Sequence, residues 1–492
     1  MPGVVVNTGV RIGGAGAEQA PSSTLFIVGI AERGRTDAFV VRSMAEFVAE
    51  YGDYTGDGLL YQHVQTFFEE GGIRAVVRRV VGTDTAAVAS TGTLLDGLAG
   101  AIAINLTAAN PGVWGDSITA EVVKTGSEFS ITITLKGAEI FAGSGYTTSA
   151  QAIADINSAI PNILVATAGA STNIPYSSDV TLEDGDAKLD DVVDATVVAA
   201  LDDFSEEFGT GAVATPGYYG STIWDALLAH AVATRKVAYA SFSASTSYTA
   251  AITAVNNYGG STATAKSNAS HIAFFWPQVV VPDGAGSTRV ISPESYAAAA
   301  RARQVIAVGG PWKPGAGVSS SARYVLGLSS NGATTKVPKT ISNALDEGKV
   351  NAIRVIDGQV RIYGARSASN DTANWRYITY RDTVNQIASE SEKALEQFVF
   401  STIDSRKTLF GSIASSLTSI MEGVKNKGGV YAMVDAFGND IDRGYLVDVS
   451  DALNPVTALA EGKISASIGV RVSGVADLIT LTITKSSLTT AL

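Results

Sequence analysis

The chain has 492 residues, 46% hydrophobic and 17% charged, with a formal net charge of -12 and no cysteine. Its length exceeds the roughly 250–300 residues at which one hydrophobic core stops growing, so more than one domain is expected. The acidic balance without a basic stripe argues against binding nucleic acid, and the absence of cysteine excludes disulfides and thiolate metal sites.

In chain order, Val4, Val5 and Val6 form a short β-branched run, and Gly13, Gly14 and Gly16 follow in a flexible tether. The run 24–30 (TLFIVGI) suits a buried strand. Ser43 with Glu46 is a capping-box signature ahead of a helix over 44–51, and 59–70 repeats the amphipathic pattern. Gly71 and Gly72 end that helix, and 75–81 (AVVRRVV) reads as a second buried strand. Between Thr85 and Gly185 two lysines stand against nine acids, and short alternating runs such as 130–135 (SITITL) predict a β-rich module facing solvent.

Residues 187–369 alternate helical and apolar strand patterns, which favours an α/β layer. Two amphipathic helices follow, over 382–400 and about 405–425. The pattern then changes to period two: Ile468, Val470 and Val472 alternate with polar or small residues, as do Ile479, Leu481 and Ile483. The beginning lacks the pattern of a signal peptide, and no stretch approaches the 18 or more apolar residues of a membrane span, so no membrane insertion is expected.

Catalytic chemistry leaves no mark. His63, His230 and His271 are too scattered for a metal pair and read as packed or surface histidines. There is no phosphate-binding G-x-x-x-x-G-K-S/T loop and no G-x-S-x-G nucleophile elbow. Adjacent acids such as Asp190 and Asp191 point apart on a helix and read as a solvated face. The expectation is a protein that is not an enzyme and takes no cofactor; an α/β hydrolase and a receptor-binding or capsid protein are the rival classes.

Several segments, taken in order, resemble the contractile tail sheath family. Pro2-Gly3-Val4-Val5-Val6 is similar to its Pro-Gly-Val-Tyr opening, and 26–34 (FIVGIAERG) to its entry into the first buried strand. Phe67-Phe68 through Gly71-Gly72 to Val76-Val77-Arg78 resembles another of its passages. Pro111-Gly112-Val113-Trp114-Gly115-Asp116 resembles its Pro-Gly-x-Trp-Gly-Asn motif, and 312–316 (WKPGA) its Trp-Lys-Ala-Pro-Ala stretch. Finally 361–366 (RIYGAR) with Trp375-Arg376-Tyr377 is similar to its "R-V-W-G-A-R … W-R-Y" signature.

The resemblance implies a mixed α/β and α+β multidomain fold, with a core domain built from both chain ends and strand-exchanging terminal arms. It also implies an inserted β-rich domain and an inserted α/β domain, subtilisin-like and non-catalytic. On this chain that reads as an arm and linker (1–23), core (24–84), acidic insert (85–186), α/β insert (187–369), core again (370–477) and a C-terminal strand and arm (478–492). The inter-subunit strands would be those of Val4, Val5, Val6, Ile468, Val470, Val472, Ile479, Leu481 and Ile483, although these strands could instead pair within the chain. Gly13, Gly14 and Gly16 would form the hinge. Lys425 and Lys427 would touch an inner tube, or simply cap a helix C-terminus. Partners implied are other copies of the chain, an inner tail tube protein, and baseplate and tail terminator proteins, in a virion tail assembled in the host cytoplasm.

Overall fold

The computed structural model describes residues 22–54, 58–83, 86–97, 100–283 and 286–477. Its centre is an eight-stranded sheet. Thr24–Gly29 lies in the interior, parallel to Ala75–Arg79 on one side and to Gly211–Ala214 on the other. Beyond Gly211–Ala214 the parallel run continues through Val237–Ala240, Ile272–Trp276 and Val350–Ile356. Antiparallel strands Phe39–Val41 and Gln359–Tyr363 close the two edges. Every residue of Thr24–Gly29, Val237–Ala240 and Ile272–Trp276 is buried, as expected of parallel strands covered on both faces.

Ser43 accepts the Glu46 amide at 3.1 Å and starts the helix Met44–Tyr51, while the Glu46 carboxylate reaches back to the amide of Arg42. The helix Leu60–Glu69 packs against Glu294–Val308, which is buried on nearly all sides. Alanines 297–300 and Ala302 allow that helix to lie close against the sheet.

The sheet joins stretches that lie far apart in the chain. Residues 24–84, assigned from the sequence to a core shared with 370–477, contribute three strands to the sheet of residues 211–363. The pairing of Thr24 with Gly211 spans the whole β-rich segment. Parallel partners so far apart carry no local signature, whereas the change of texture at residue 85 does.

The acidic segment folds around its own apolar cluster, including Leu94, Ile104, Trp114, Phe129 and Ile131. It contains a three-stranded and a four-stranded antiparallel sheet and the helix Ser149–Ala159. Arg79, fully buried at the end of its strand, ties it to the main sheet by donating to the carbonyls of Ala31 at 3.1 Å, Gly34 at 3.0 Å and Pro111 at 2.8 Å. The residues of the PGVWGD motif have a structural job here. Gly112 has φ +134°, where a Cβ would stand 2.9 Å from the Trp114 ring, and Asp116 accepts from Ser90 Oγ at 2.7 Å and from the Gly185 amide at 3.0 Å.

The last described region is built on the helices Ile378–Leu395 and Thr408–Asn426. The first docks on the sheet domain through buried charge: Asp382 takes a two-pronged bond from Arg301, and Glu392 pairs with Arg235. The second turns Leu409, Ile413, Leu417, Met421 and Val424 inward over two small apolar clusters. Two two-stranded sheets complete the region, Met433–Val434 with Asp440–Asp442, and Tyr445–Asp448 with Ser467–Val470.

Candidate functional site

The region from Phe400 to Val456 carries a concentration of exposed large apolar side chains. Phe437 is 91% exposed, Phe400 85% and Val456 81%, with Ile441 and Leu446 also open. Isolated exposed apolar residues are ordinary; a cluster on a small, thinly cored region marks an interaction surface.

Phe437 is presented by a fixed turn. The Asp435 carboxylate accepts from the amides of Phe437 at 2.8 Å and Asn439 at 2.9 Å, and from Asn439 Nδ2 at 3.0 Å, while Gly438 takes φ +87°. The bond from the Asn439 side chain also holds the Asp435 carboxyl below the usual carboxylate range. The turn thus fixes the backbone from which the ring projects into solvent, which lowers the backbone entropy lost when a partner covers it.

The two-stranded ribbon Tyr445–Asp448 with Ser467–Val470 has, among the described residues, no further strand on either outer edge. Two-stranded ribbons are marginal by themselves, and unpaired edges are templates for strand addition. Its inner side rests on Met421 and Val424 of the long helix through Tyr445, Val447, Ile468 and Val470. Ile468 pairs with Val447, Val470 with Tyr445 and Val472 with Val430, all within the chain.

Both ends of the described chain are pinned. The Ser22 carbonyl accepts from Arg301 Nη1, whose guanidinium is held by Asp382. At the other end Asp477 accepts from Arg376 Nη2 at 2.8 Å and from the Tyr377 hydroxyl. This gives the RIYGAR and WRY residues a physical role. Arg366 donates to Asp346 at 2.7 Å and lies over the Tyr377 ring at 5.6 Å, and Arg381 stacks 3.7 Å over Trp375. Together they fix the position of Asp477, the last described residue.

Of the site residues read from the sequence, Val4, Val5, Val6, Gly13, Gly14, Gly16, Ile479, Leu481 and Ile483 lie outside the described residues. Lys425 is engaged within the chain, paired with Asp440 and 3.9 Å from Glu422. Lys427 is exposed just past the helix end, its stem running beside Gly309. Sequence reasoning missed the Asp435–Asn439 turn, although the string DAFGN carried the signal: an Asp able to cap its own loop and a glycine three residues on.

His63 meets serines on both ring nitrogens, Ser295 at 2.9 Å and Ser292 at 3.4 Å. All three residues are fully buried, and burial drives the imidazole pKa down to about 3. This contact is sealed from substrate and its histidine is a poor base, so it reads as polar packing. Among the described residues no group of three His, Asp or Glu side chains could hold a metal ion, and no helix is long and apolar enough to cross a membrane.

No protein-family model matches the sequence, and comparison with curated proteins finds no match. Solved structures do match over nearly the whole chain. The sheath tail protein of Listeria innocua superposes with TM-score 0.61 at 12% identity, covering 89% of this chain and 90% of that one. The sheath tail protein of Desulfitobacterium hafniense gives 0.55 at 13%, covering 90% and 93%. The fold is that of contractile tail sheaths. The contracted sheath complex of an extracellular contractile injection system, PVC, gives 0.54 at 13% and covers 98% of both chains. The sheath fold therefore takes in the β-rich module and the C-terminal region as well as the large sheet.

Proposed function

We propose that the chain is a structural subunit of a contractile tail sheath, working by polymerisation and contraction. Copies of it would stack as rings around an inner tail tube, bounded by baseplate and tail terminator proteins, and contract to drive the tube through a host envelope for genome delivery. The observation that carries this reading is a two-stranded ribbon with no further strand on either edge among the described residues, set in a sheath fold.

The physical logic is strand addition. Residues 2–10 and 478–492 of neighbouring copies would complete the sheet begun by Tyr445–Asp448 and Ser467–Val470. Ile468 and Val470 then serve as the strand that receives an arm, already paired on one side within the chain. Four or five backbone hydrogen bonds at about 0.5–1.5 kcal/mol each, with burial of Val4, Val6 or Ile479, give a joint comparable to a domain's own marginal stability. Head-to-tail contacts of this kind do not close and so propagate a helical tube. Such joints would persist while subunits rotate about the glycines at 13, 14 and 16, and the released energy would come from closer packing in the contracted lattice.

A phage-tail-like bacteriocin or a cellular injection system would use the same subunit, and the match to the injection-system sheath favours keeping that second reading. Deleting residues 2–10 tests the arm model: a soluble folded subunit without tubes by negative-stain microscopy is expected. Long striated tubes from that variant would defeat it.

A further inference from the structure

The β-rich module and the body of the subunit keep separate apolar cores: the module's cluster runs from Leu94 to Leu182, and the body's takes no residue from that span. Their hydrogen-bonded joint is compact. There the Gly82 amide donates to the Ala187 carbonyl at 2.9 Å, the strands entering and leaving the module pair at Val88 and Asp186, and Arg79 reaches the Pro111 carbonyl at 2.8 Å. A cavity of about 700 Å³ opens between Ala31 and Glu32 of the body, Val113 and Trp114 of the module, and the exit segment 186–191. Glu32 and Lys136 of the module, both in its lining, are joined as an ion pair.

Both partners are set for this contact. Lys136 stands with Gly137 in the two-residue turn between Glu128–Leu135 and Ala138–Tyr146, at φ +52°. Such turns favour Asn, Asp or Gly at that position, so turn chemistry gives no reason for a lysine, whereas its ammonium reaches the body. The Lys136 amide is fixed to the Ser117 carbonyl at 3.0 Å. On the other side the Glu32 side chain is 8% exposed and gives Oε2 to the Asp53 amide at 2.9 Å, which leaves Oε1 for the lysine. The Lys136 side chain is 54% exposed, so water and salt reach the pair and it breaks at small cost. Two further contacts accompany it: Asn162 Nδ2 donates to Glu50 Oε2 at 3.2 Å, and the Arg33 guanidinium lies 5.8 Å from the Trp114 ring centre.

We propose that the module is hinged on the body at the Gly82–Ala187 joint and that the Glu32–Lys136 pair is a releasable strap that fixes its angle. With the strap closed the module stands as described; with it open the module swings and the cavity changes width. A weak, screened bond suits this use, because contacts with neighbouring copies can outcompete it without unfolding either core. The strap belongs to the single subunit, so its test is independent of the arms and of tube formation.

The cysteine-free chain accepts spin labels at two introduced cysteines, Lys124→Cys in the module and Ala229→Cys in the body, both at exposed positions. On the soluble full-length subunit in about 0.1 M salt, where the Debye length is about 10 Å, electron–electron double resonance should give one narrow distance distribution. Adding Lys136→Asn, which suits the turn better, should keep or raise Tm and broaden that distribution at least about twofold. Salt at about 1 M, with a Debye length of about 3 Å, should broaden it in the chain that keeps Lys136. A distribution that stays narrow in Lys136→Asn or at high salt overturns the proposal, because the module is then held without the strap. So does one already broad at low salt in the chain that keeps Lys136.

Discussion

Arg301 and Asp382, 81 positions apart, meet in the interior with Nε to Oδ2 at 2.6 Å and Nη2 to Oδ1 at 2.8 Å. Both side chains are about 95% buried, and the same guanidinium holds the Ser22 carbonyl. One pair therefore joins the N-terminal exit, the central helix and the helix that carries the C-terminal region. Removing one partner of a buried ion pair strands the other charge, at a cost of about 3–5 kcal/mol. Asp382→Ala should lower stability by that amount in urea unfolding, and Arg301→Met added to Asp382→Leu should recover most of it. A loss under 1 kcal/mol for the single variant would show that the pair is not the lock described.

The exposed aromatic tip separates folding from assembly. Phe437 contributes almost no buried area to its own subunit, so Phe437→Ser should leave Tm unchanged within error. Tube formation, followed by turbidity and microscopy, should nevertheless fall sharply. Normal assembly by this variant would remove the tip from the interaction surface.

Acid should destabilise the fold through its histidines. Burial is the main cause that drives His63, His230 and His271 down to about 3 from an ordinary value near 6.5. Between those values the folded chain keeps them neutral while the unfolded chain protonates them, so stability is lost as pH falls below about 6.5. Each histidine contributes a slope of up to about 1.4 kcal/mol per pH unit. Urea midpoints at pH 7.5 and 5.0 should differ clearly, and a triple His→Asn variant should shrink the difference. Equal midpoints in the unaltered protein would contradict the buried neutral state.

Lys236 gives a dependence of the same sign on the alkaline side of neutrality. Its ammonium is buried, bonded to the carbonyls of Phe204 at 3.0 Å and Ser205 at 3.1 Å, and lies 4.6 Å from the Phe26 ring centre. Burial pushes its pKa down to about 7 from 10.5. Above pH 7 the folded chain releases this proton before the unfolded chain does, so stability should rise from pH 7 to 9. Lys236→Met should flatten that rise. A fall over the same range in the unaltered protein would refute the assignment.

Local elements were legible because their signals are local. The Ser43–Glu46 cap, the apolar run at 24–30 and the inward spacing of Leu409, Ile413 and Leu417 each need only a few neighbouring residues, and the structure places a helix or strand at each. Pairing partners were not legible. Ile468 and Val470 meet Val447 and Tyr445 across a loop of some twenty residues, and the strand Tyr445–Asp448 is too short to announce itself by alternation. The buried pairs of Asp382 and Glu392 were equally hidden, since on an amphipathic helix an acid facing a distant arginine looks like an acid facing water. Lys425 illustrates the converse: a lysine near a helix end reads as available, and Asp440 on the following hairpin occupies it.

The β-rich module enters and leaves the body through adjacent strands, with Val88 and Asp186 exchanging hydrogen bonds at 2.8 and 2.9 Å and the Gly82 amide bonded to the Ala187 carbonyl. Because its ends lie side by side, the segment is a cassette: a foreign domain with neighbouring termini could be spliced in its place, provided that it offers buried Arg79 an acceptor where the Pro111 carbonyl now stands.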